Sequence, residues 1–260
     1  GDHTSDACIP EQAQGKAKLL VKEPGVIAGV ELAKQIFSKF DSNLKVETLI
    51  TDGTKINIGD IILTVEGSSR SILKTERLVL NFMQRMSGVA TKTANLNKLI
   101  EGTSAKLLDT RKTTPLLREL EKLAVKIGGG VNHRFGLFDM VMIKDNHIDM
   151  AGGIEAAISR TKAHLSAIGK DLKIEVEVRD FEELNEVLRV GGIHRIMLDN
   201  FHPDDEKKAV ALIDGRFETE ASGGITEETI RAHAFAGVDY ISVGALTHNI
   251  KSLDLSLKAA

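Results

Sequence analysis

The stretch Lys106–His147, KLLDTRKTTPLLRELEKLAVKIGGGVNHRFGLFDMVMIKDNH, decides the fold. Its two apolar runs, Lys106–Asp109 and Phe138–Ile143, predict strands that lead directly into charged residues. The strand ends and the segment after a glycine run together hold six basic or imidazole side chains: Arg111, Lys112, His133, Arg134, Lys144 and His147. Because α/β proteins place their chemistry at strand ends, this pattern predicts a site for a highly anionic small molecule.

The rest of the chain after residue 105 repeats this rhythm of short apolar run and helical pattern. Strands are predicted at Lys106–Asp109, Phe138–Ile143, Lys173–Val178, Arg195–Leu198, Arg216–Ala221 and Asp239–Val243. Helices are predicted at Leu116–Lys126, Gly153–Ala167, Phe181–Val190, Asp204–Leu212 and Thr226–Ala236. This alternation indicates a parallel sheet with right-handed crossovers. Six or seven such units without a Gly-x-Gly-x-x-Gly fingerprint favour a (β/α) barrel and weaken a nicotinamide-cofactor interpretation.

The first part of the chain reads as a separate α/β unit with no catalytic constellation, and we interpret it as a folding or dimerising module. A long helical pattern over Ser71–Ile100 follows it, with a break expected near Ser87-Gly88. The final SLDLSLK predicts a strand that returns to the first domain. We therefore expect an N-terminal α/β domain over residues 1–100, with a contribution from about 251–260, and a barrel over residues 101–250.

The composition is typical of a globular enzyme, with 260 residues that are 42% hydrophobic and 27% charged. The net charge of −3 argues against a general nucleic-acid or membrane surface. No apolar run approaches the roughly 18–20 residues that cross a bilayer. The single cysteine, Cys8, excludes an internal disulfide and fits a reducing compartment. Without a signal-peptide pattern we expect a cytoplasmic protein, and the abrupt start leads us to expect that an N-terminal piece is missing.

Two carboxylates share one face of the predicted strand KIEVEV, because side chains alternate along a strand. Glu175 and Glu177 would face the barrel interior, where a carboxylate needs a cationic partner or a metal. A structural ion pair with interior lysines is the alternative to a metal site. Asp199 ends the next strand, RIMLDN, and would lie beside Glu177. Two carboxylates near an anion pocket suit a hydrated Mg²⁺ that shares substrate phosphate oxygens.

Two small-residue loops follow the last two predicted strands. The first is Ser222-Gly223-Gly224, after which a helix opens at Thr226, and the second contains Gly244 and His248. Glycines permit close approach of the backbone to a ligand, and a helix start favours a phosphate. Either loop alone is also compatible with a plain tight turn. Both in this order indicate a phosphate site, since barrels build such sites from their last two loops.

With these residues in place, the sequence resembles the quinolinate phosphoribosyltransferases, also called carboxylating nicotinate-nucleotide pyrophosphorylases. The resemblance spans almost the whole chain and rests on eight motifs: QRMSG (84–88), DTRKTTP (109–115), GGGVNHR (128–134), MIKDNH (142–147), EVEV (175–178), MLDNF (197–201), EASGGIT (220–226) and SVGALTH (242–248). It implies an N-terminal α/β domain plus an open seven-stranded (β/α) barrel, active as a homodimer or higher homo-oligomer. The implied pentosyltransferase converts quinolinate and phosphoribosyl pyrophosphate, with Mg²⁺, to nicotinate mononucleotide, pyrophosphate and CO₂ in NAD biosynthesis.

The resemblance also implies residue roles. The quinolinate carboxylates would be held by Arg111, His133, Arg134 and Lys144, joined by Arg85 from the partner subunit. Catalytic roles fall to Lys112, Lys144, Glu177 and Asp199, and the last two would also face the metal. The 5′-phosphate would be held by Ser222, Gly223, Gly224, Gly244 and His248. Family members usually carry a further helical segment before the first residues here, and its absence puts oligomer contacts in doubt rather than the catalytic set.

Three rival functions stay open at this point. A paralogue associated with molybdenum transport shares the fold, but the complete basic set favours the quinolinate enzyme. A catalytically idle anion-binding protein would gain nothing from the carboxylate pair Glu177 and Asp199. An aldolase-like barrel would use Lys144 as a Schiff base, and borohydride trapping with a carbonyl substrate would reveal it.

Overall fold

The structure of the protein is a computed structural model that describes all residues from 1 to 260. The chain divides into two compact units. The first comprises Gly1–Ala94, Thr114–Gly129 and Ala245–Ala260, and the second comprises Asn95–Thr113 and Gly130–Gly244. None of the helices combines the length and the apolar character that crossing a bilayer requires.

The elements up to residue 99 are α1 (His3–Cys8), β1 (Gln14–Val21), β2 (Gly25–Val26), α2 (Val30–Phe40), β3 (Lys45–Thr48), β4 (Lys55–Ile56), β5 (Ile61–Ser68) and α3 (Ser69–Leu99). Those that follow are β6 (Lys106–Leu108), α4 (Arg118–Ile127), β7 (Val141–Ile143), α5 (Asp145–Ala151), α6 (Ile154–Ala167), β8 (Ile174–Val178), α7 (Phe181–Val190), β9 (Arg195–Asp199), α8 (Pro203–Ile213), β10 (Glu218–Ser222), α9 (Ile230–Phe235), β11 (Tyr240–Ser242), α10 (Ala245–His248) and β12 (Leu255–Ala259).

The first unit contains an antiparallel four-stranded sheet in the order β12-β1-β5-β3. Apolar residues alternate along β1, so Leu19 and Val21 are fully buried in the core of this unit. Phe37 of α2 is buried in the same core. Burying each such side chain stabilises the fold by about 1.5–3 kcal/mol. The predicted return of the C-terminal strand is confirmed, because β12 pairs with β1 from Ala17↔Ala259 to Val21↔Leu255.

Helix α3 is continuous, so the predicted break near Ser87-Gly88 is wrong. Gly88 has a packing role instead, since a Cβ there would lie 2.3 Å from the carbonyl oxygen of Lys251. A glycine within a helix costs about 0.5–1 kcal/mol relative to alanine. Here the residue allows the C-terminal segment to pass directly over the helix backbone. The glycine therefore marks a close contact and not the end of a helix.

The second unit contains a parallel sheet in the order β6-β11-β10-β9-β8-β7. An isolated parallel bridge between Leu108 and Val131 adds a seventh position beside β6. At the other edge β7 pairs with β8 alone, so the sheet stays open. This parallel sheet is consistent with the (β/α) barrel that the alternation of strands and helices predicts, and its open edge agrees with the open barrel that the family resemblance implies.

The interior strand β8 shows how the barrel fold places charge inside the protein. All five of its residues are buried, although Glu175 and Glu177 alternate with valine and isoleucine. Glu175 lies in register with Arg195 of β9, and Glu177 lies in register with Met197. The predicted alternation of carboxylate and apolar residues therefore places both glutamates on one face of a buried strand.

Candidate active site

The carboxyl ends of the barrel strands surround a pocket of about 190 Å³, which we call the cationic pocket. Its lining comes from four strands or their ends, β7, β9, β10 and β11, and from the loops after β6 and before β7. The lining residues are Thr110, Arg111, Lys112, His133, Arg134, Met142, Lys144, Met197, Glu220, Ser222 and Ser242. Six of the predicted site residues are thus brought together in one pocket: Arg111, Lys112, His133, Arg134, Lys144 and Ser222.

The lining of the pocket carries four lysine or arginine side chains and a single carboxylate, Glu220. Burial and the positive charge of the neighbouring Arg111 lower the pKa of Arg134. Both side chains line the same pocket, so their two positive charges repel one another. An anionic ligand relieves such repulsion, and a guanidinium pairs with a carboxylate through two parallel hydrogen bonds. The electrostatics of the pocket therefore favour a ligand with more than one negative group.

Lys144 occupies the N-cap position of α5, immediately after β7. Its backbone N–H donates to His147 Nδ1 at 2.9 Å, which fixes the strand end as the next helix begins. The Lys144 ammonium group donates to the carboxylate of Glu177, whose side chain is only 7% exposed. The His147 side chain thus completes a capping box with Lys144 at the start of α5.

A buried group of charged side chains adjoins the pocket through His133 and Glu220, and we call it the lumen cluster. Its members are His133, Glu175, Arg195 and Glu220. His133 Nε2 lies 3.1 Å from Glu175 Oε2 and 3.4 Å from Glu220 Oε2. Arg195 Nη1 donates to Glu220 Oε2 at 3.0 Å. The cluster thus sets two buried carboxylates against one imidazole and one guanidinium.

Two members of the lumen cluster, His133 and Glu175, hold a proton more readily than they do in water. The pKa of Glu220, despite its burial, is instead lowered by the neighbouring His133 and Arg195. Burial lowers the pKa of His133, but the carboxylates of Glu175 and Glu220 outweigh it and raise this pKa to about 9. Burial and the charge of Glu220 raise the pKa of Glu175 to about 7. The Arg134 backbone N–H donates to His133 Nδ1 at 2.6 Å, and a proton on Nδ1 would disrupt that bond.

The predicted metal ligands Glu177 and Asp199 lie on the neighbouring strands β8 and β9. Asp199 is half-buried at its strand end, and its Oδ2 accepts a hydrogen bond from Asn200 Nδ2 at 2.6 Å. Carboxylate oxygens at an open strand end are the hard donors that Mg²⁺ prefers, so these residues fit that ion. His133, Glu175 and Glu220 also offer ligand atoms within 4.8 Å of one another. A cation there would compete with Arg195 for Glu220, just as a cation at Glu177 would compete with Lys144. The half-buried Asp199 is the more accessible carboxylate for Mg²⁺.

The predicted phosphate loop Ser222-Gly223-Gly224 folds tightly against Asn200. Gly223 has a φ of +100°, and a Cβ there would lie 2.2 Å from Asn200 Oδ1, so only glycine fits. The Asn200 backbone N–H donates to the Ser222 carbonyl oxygen at 2.8 Å. Both glycines line a hollow of about 490 Å³. Gly244, which is also predicted for the phosphate site, directly precedes the short helix α10. The last residue of this helix, His248, is exposed and belongs to the first unit.

Arg85 lies on α3 in the first unit, together with Glu121 of α4. Its Nε and Nη2 donate to Glu121 Oε1 at 3.0 and 2.7 Å. Nη2 also donates to the Thr114 hydroxyl at 3.1 Å and to the Thr247 carbonyl oxygen at 2.6 Å. The guanidinium group is therefore held by its own chain, in a geometry that the sequence pattern did not predict.

Sequence reasoning assigned no role to Glu220, although its carboxylate lines the pocket. A signal for it exists: in FETEAS, Glu218 and Glu220 alternate with Thr219 and Ala221, as the glutamates do in KIEVEV. Both glutamates face Arg195, with Glu218 Oε2 accepting from its Nη2 at 3.0 Å. Reading the two strands together would have predicted a charged barrel interior. Ser242 and the methionines of the lining carry no such signal.

Two family models match the chain almost from end to end. The quinolinate phosphoribosyl transferase N-terminal domain matches residues 2–87, and the C-terminal domain matches residues 89–258. The chain belongs to the quinolinate phosphoribosyltransferase family. A quinolinate phosphoribosyltransferase [decarboxylating] from Nicotiana tabacum is 48% identical over 272 residues, which cover 99% of this chain and 77% of the relative.

Other relatives agree with this family membership. A chloroplastic nicotinate-nucleotide pyrophosphorylase [carboxylating] from Arabidopsis thaliana is 48% identical and covers 99% of this chain and 78% of its own length. The crystal structure of NadC from Streptococcus pyogenes superimposes with a TM-score of 0.93 at 40% identity, over 99% of this chain and 90% of that chain. The nicotinate-nucleotide pyrophosphorylase structure from Francisella tularensis gives a TM-score of 0.94 at 41% identity, over 100% and 90%. The predicted fold class is confirmed.

Proposed function

We propose that this protein is a decarboxylating quinolinate phosphoribosyltransferase of NAD biosynthesis. It converts quinolinate and phosphoribosyl pyrophosphate to nicotinate mononucleotide, pyrophosphate and CO₂. The observation that carries this proposal is the cationic pocket, whose four lysine or arginine side chains suit a ligand with two carboxylates. The family membership and the 48% identity to a tobacco relative named for that activity support it.

In this proposal the quinolinate carboxylates are bound by the guanidinium and imidazole groups of the pocket. Arg111, Arg134 and His133 hold them, together with Lys144 at the carboxyl end of β7. Arg85 joins them from a second copy of the chain, which makes the active site shared in a homodimer or higher homo-oligomer. Size-exclusion chromatography with light scattering tests the oligomer: a monomer that turns over quinolinate at the full rate would contradict the shared site.

Phosphoribosyl pyrophosphate, the second substrate, requires a phosphate cradle and a place for its pyrophosphate. The proposed cradle consists of Ser222, Gly223, Gly224, Gly244 and His248. Gly224 supports this assignment, because it has a φ of +60° and open space where a Cβ would stand, so its backbone is accessible to a ligand, whereas Gly223 packs against Asn200. Glu177 and Asp199 would hold Mg²⁺, which supplies charge neutralisation for the departing pyrophosphate when bound.

The chemistry of the residues follows from where charge develops. As the bond from the anomeric carbon to pyrophosphate breaks, the ribose gains cationic character, which nearby carboxylates stabilise. Lys112 and Lys144 neutralise charge on the leaving oxygens and on the pyridine dicarboxylate. The quinolinate nitrogen then bonds to the anomeric carbon. The carbon–carbon bond to the 2-carboxylate breaks, CO₂ leaves, and the electron pair stays on the pyridinium ring carbon until a proton replaces CO₂.

A coupled assay with quinolinate, phosphoribosyl pyrophosphate and Mg²⁺, with nicotinate as the control substrate, tests the proposal. We expect nicotinate mononucleotide and CO₂ from quinolinate and no product from nicotinate. Lys112→Ala and Glu177→Ala should each lower turnover by more than about tenfold. Retention within about threefold of the wild type, less than ~1 kcal/mol of transition-state stabilisation, would contradict the roles given to these residues.

We propose a cytoplasmic enzyme, in agreement with the single exposed cysteine, Cys8. Relatives from Nicotiana tabacum and Arabidopsis thaliana carry mitochondrial and chloroplastic names. Fractionation of cells followed by immunodetection of the chain distinguishes these compartments, and recovery in an organelle fraction would overturn the cytoplasmic assignment.

A further inference from the structure

The first unit contains a buried carboxylate that the proposed reaction does not yet use. Glu121 on α4 is 1% exposed, and both of its oxygens are engaged by residues of the proposed active site or next to it. Oε1 accepts from Nε and Nη2 of Arg85, at 3.0 and 2.7 Å. Oε2 accepts from the backbone N–H of Thr114 at 3.0 Å. One carboxylate therefore fixes an arginine of α3 and a backbone position of the segment after β6.

The hydrogen bonds at Arg85 are distributed unevenly over its guanidinium group. The Nε and Nη2 edge is engaged by Glu121, by the Thr114 hydroxyl and by the Thr247 carbonyl oxygen. Nη1 makes one contact, to the Ile250 carbonyl oxygen at 3.4 Å, which is long for a hydrogen bond. The Arg85 side chain is 23% exposed. Glu121 thus holds one edge of the guanidinium group and leaves Nη1 as the nitrogen best able to bind a ligand carboxylate.

Thr114 connects the same carboxylate to the basic loop. It stands two residues after Lys112 and three after Arg111, in the segment DTRKTTP. The Thr114 carbonyl oxygen accepts from the Leu117 N–H at 3.0 Å, so the turn that leads into α4 is fixed on both sides of this residue. A segment anchored at Thr114 restricts the directions in which its two preceding basic side chains can project. The same hydrogen bonds thus restrain both Arg85 and the loop.

We propose that Glu121 is a positioning residue for quinolinate, which acts by holding Arg85 and the backbone of Thr114. This inference rests on the proposed function and deepens it, because it names a residue that sets the geometry of the dicarboxylate ligands. Glu121 itself touches no substrate. Removing it should weaken quinolinate recognition more than recognition of phosphoribosyl pyrophosphate, because the residues it fixes are those assigned to the dicarboxylate.

The central variant is Glu121→Gln, in which the amide oxygen still accepts from Arg85 but the amide NH₂ cannot accept from Thr114. We expect KM for quinolinate to rise at least about tenfold and KM for phosphoribosyl pyrophosphate to stay within about twofold. Glu206→Gln is the matched control, since Glu206 is an equally buried helix glutamate paired with His233 at 2.9 Å. It should lower the melting temperature without changing either KM.

Thr114→Val provides a second test that keeps the side-chain shape and the backbone N–H. It removes only the hydroxyl that accepts from Arg85 at 3.1 Å, and we expect KM for quinolinate to rise about threefold. If Glu121→Gln does not fold, this variant tests whether the hydrogen bonds that hold Arg85 affect KM for quinolinate. A wild type that makes no product from quinolinate would overturn the proposed function itself. An active wild type with an unchanged KM for quinolinate in the variants, or equal rises for both substrates, would overturn the positioning role alone.

Discussion

The cationic pocket and the lumen cluster adjoin each other on one sheet but differ in the balance of positive and negative side chains. The pocket lining carries four lysine or arginine side chains and one carboxylate. In the lumen cluster the carboxylates of Glu175 and Glu220 face His133 and Arg195 at 3.0–3.4 Å. In the cluster the protein balances its own charges, and removal of one partner would leave the other buried and uncompensated, whereas the excess cationic charge of the pocket can be neutralised by an anionic ligand. His133 and Glu220 belong to both regions and mark the boundary between the site and its scaffold.

The largest effect should come from breaking the lumen cluster. Glu220→Ala leaves Arg195 and His133 buried without their shared partner, and we expect the free energy of unfolding to fall by about 3–5 kcal/mol. Urea unfolding followed by circular dichroism measures it. Glu218→Ala is the control, because Glu218 also faces Arg195 but its side chain is 34% exposed, and it should cost no more than about 1 kcal/mol. Equal losses in the two variants would show that burial does not distinguish the pairs.

Removing a cation from the pocket should affect activity and spare the fold. Arg134→Ala should lower kcat/KM for quinolinate about 100-fold, or ~3 kcal/mol, since a charge-assisted pair with a carboxylate is lost. The melting temperature should change little, because the side-chain hydrogen bond of Arg134, from Nη1 to the Met140 carbonyl oxygen, is long at 3.4 Å. Arg179→Ala, which removes an arginine that is 45% exposed and paired with Glu183, should leave kcat/KM unchanged. A large loss of stability in Arg134→Ala would place this residue with the scaffold.

The pH dependence of stability should report the lumen cluster, through His133 and Glu175. The pKa of His133 is raised from 6.5 to about 9, and that of Glu175 from 4.5 to about 7. Over these pH ranges the folded chain therefore binds more protons than the unfolded chain. The resulting stabilisation is complete at low pH and is lost as pH rises through about 7 to 9. We expect the free energy of unfolding to fall by on the order of 2 kcal/mol between pH 6 and 9.5. In His133→Asn the free energy of unfolding should fall much less over this pH range. An unaltered fall would contradict the role given to His133.

The smallest effect concerns a residue outside both regions. Leu116 is fully exposed and has a φ of +66°, a conformation that costs a non-glycine residue about 1–2 kcal/mol. Leu116→Gly should raise the free energy of unfolding by about 0.5–1 kcal/mol, after the greater flexibility of glycine in the unfolded chain is subtracted. Leu137→Gly is the matched control, since Leu137 is 73% exposed without a positive φ, and it should give no gain. A gain of equal size in both would exclude backbone strain as its cause.

The barrel and the members of the pocket could be predicted from the sequence because they depend on local patterns. Strand ends that lead into Arg111 and Lys144 indicate where parallel strands must deliver their side chains. Alternation in KIEVEV likewise predicted buried carboxylates on β8. The roles of the site residues, the magnesium ion and the domain limits at residues 100 and 250 remain predictions.

Contacts between distant parts of the chain could not be predicted in this way. Gly88 looks like a helix break in sequence, and only the proximity of the Lys251 carbonyl oxygen shows its packing role. The bond between Arg85 and Glu121 joins residues 36 positions apart on two helices, and no periodicity indicates it. His133 looks like a surface loop residue beside glycines, yet its imidazole is buried against two carboxylates. Each depends on tertiary structure, which composition and spacing do not encode locally.

The most direct test asks whether the excess positive charge of the pocket makes it selective for a dicarboxylate. It is a calorimetric titration of quinolinate and of nicotinate into the wild type and into Arg111→Met. We expect the wild type to bind quinolinate at least about 100-fold more tightly than nicotinate, because the second carboxylate gains a charge-assisted contact. Arg111→Met should lose most of that preference while its melting temperature stays within a few degrees of the wild type. Equal affinities of the wild type for the two pyridine acids, or an undiminished preference in the variant, would contradict the assignment of the pocket.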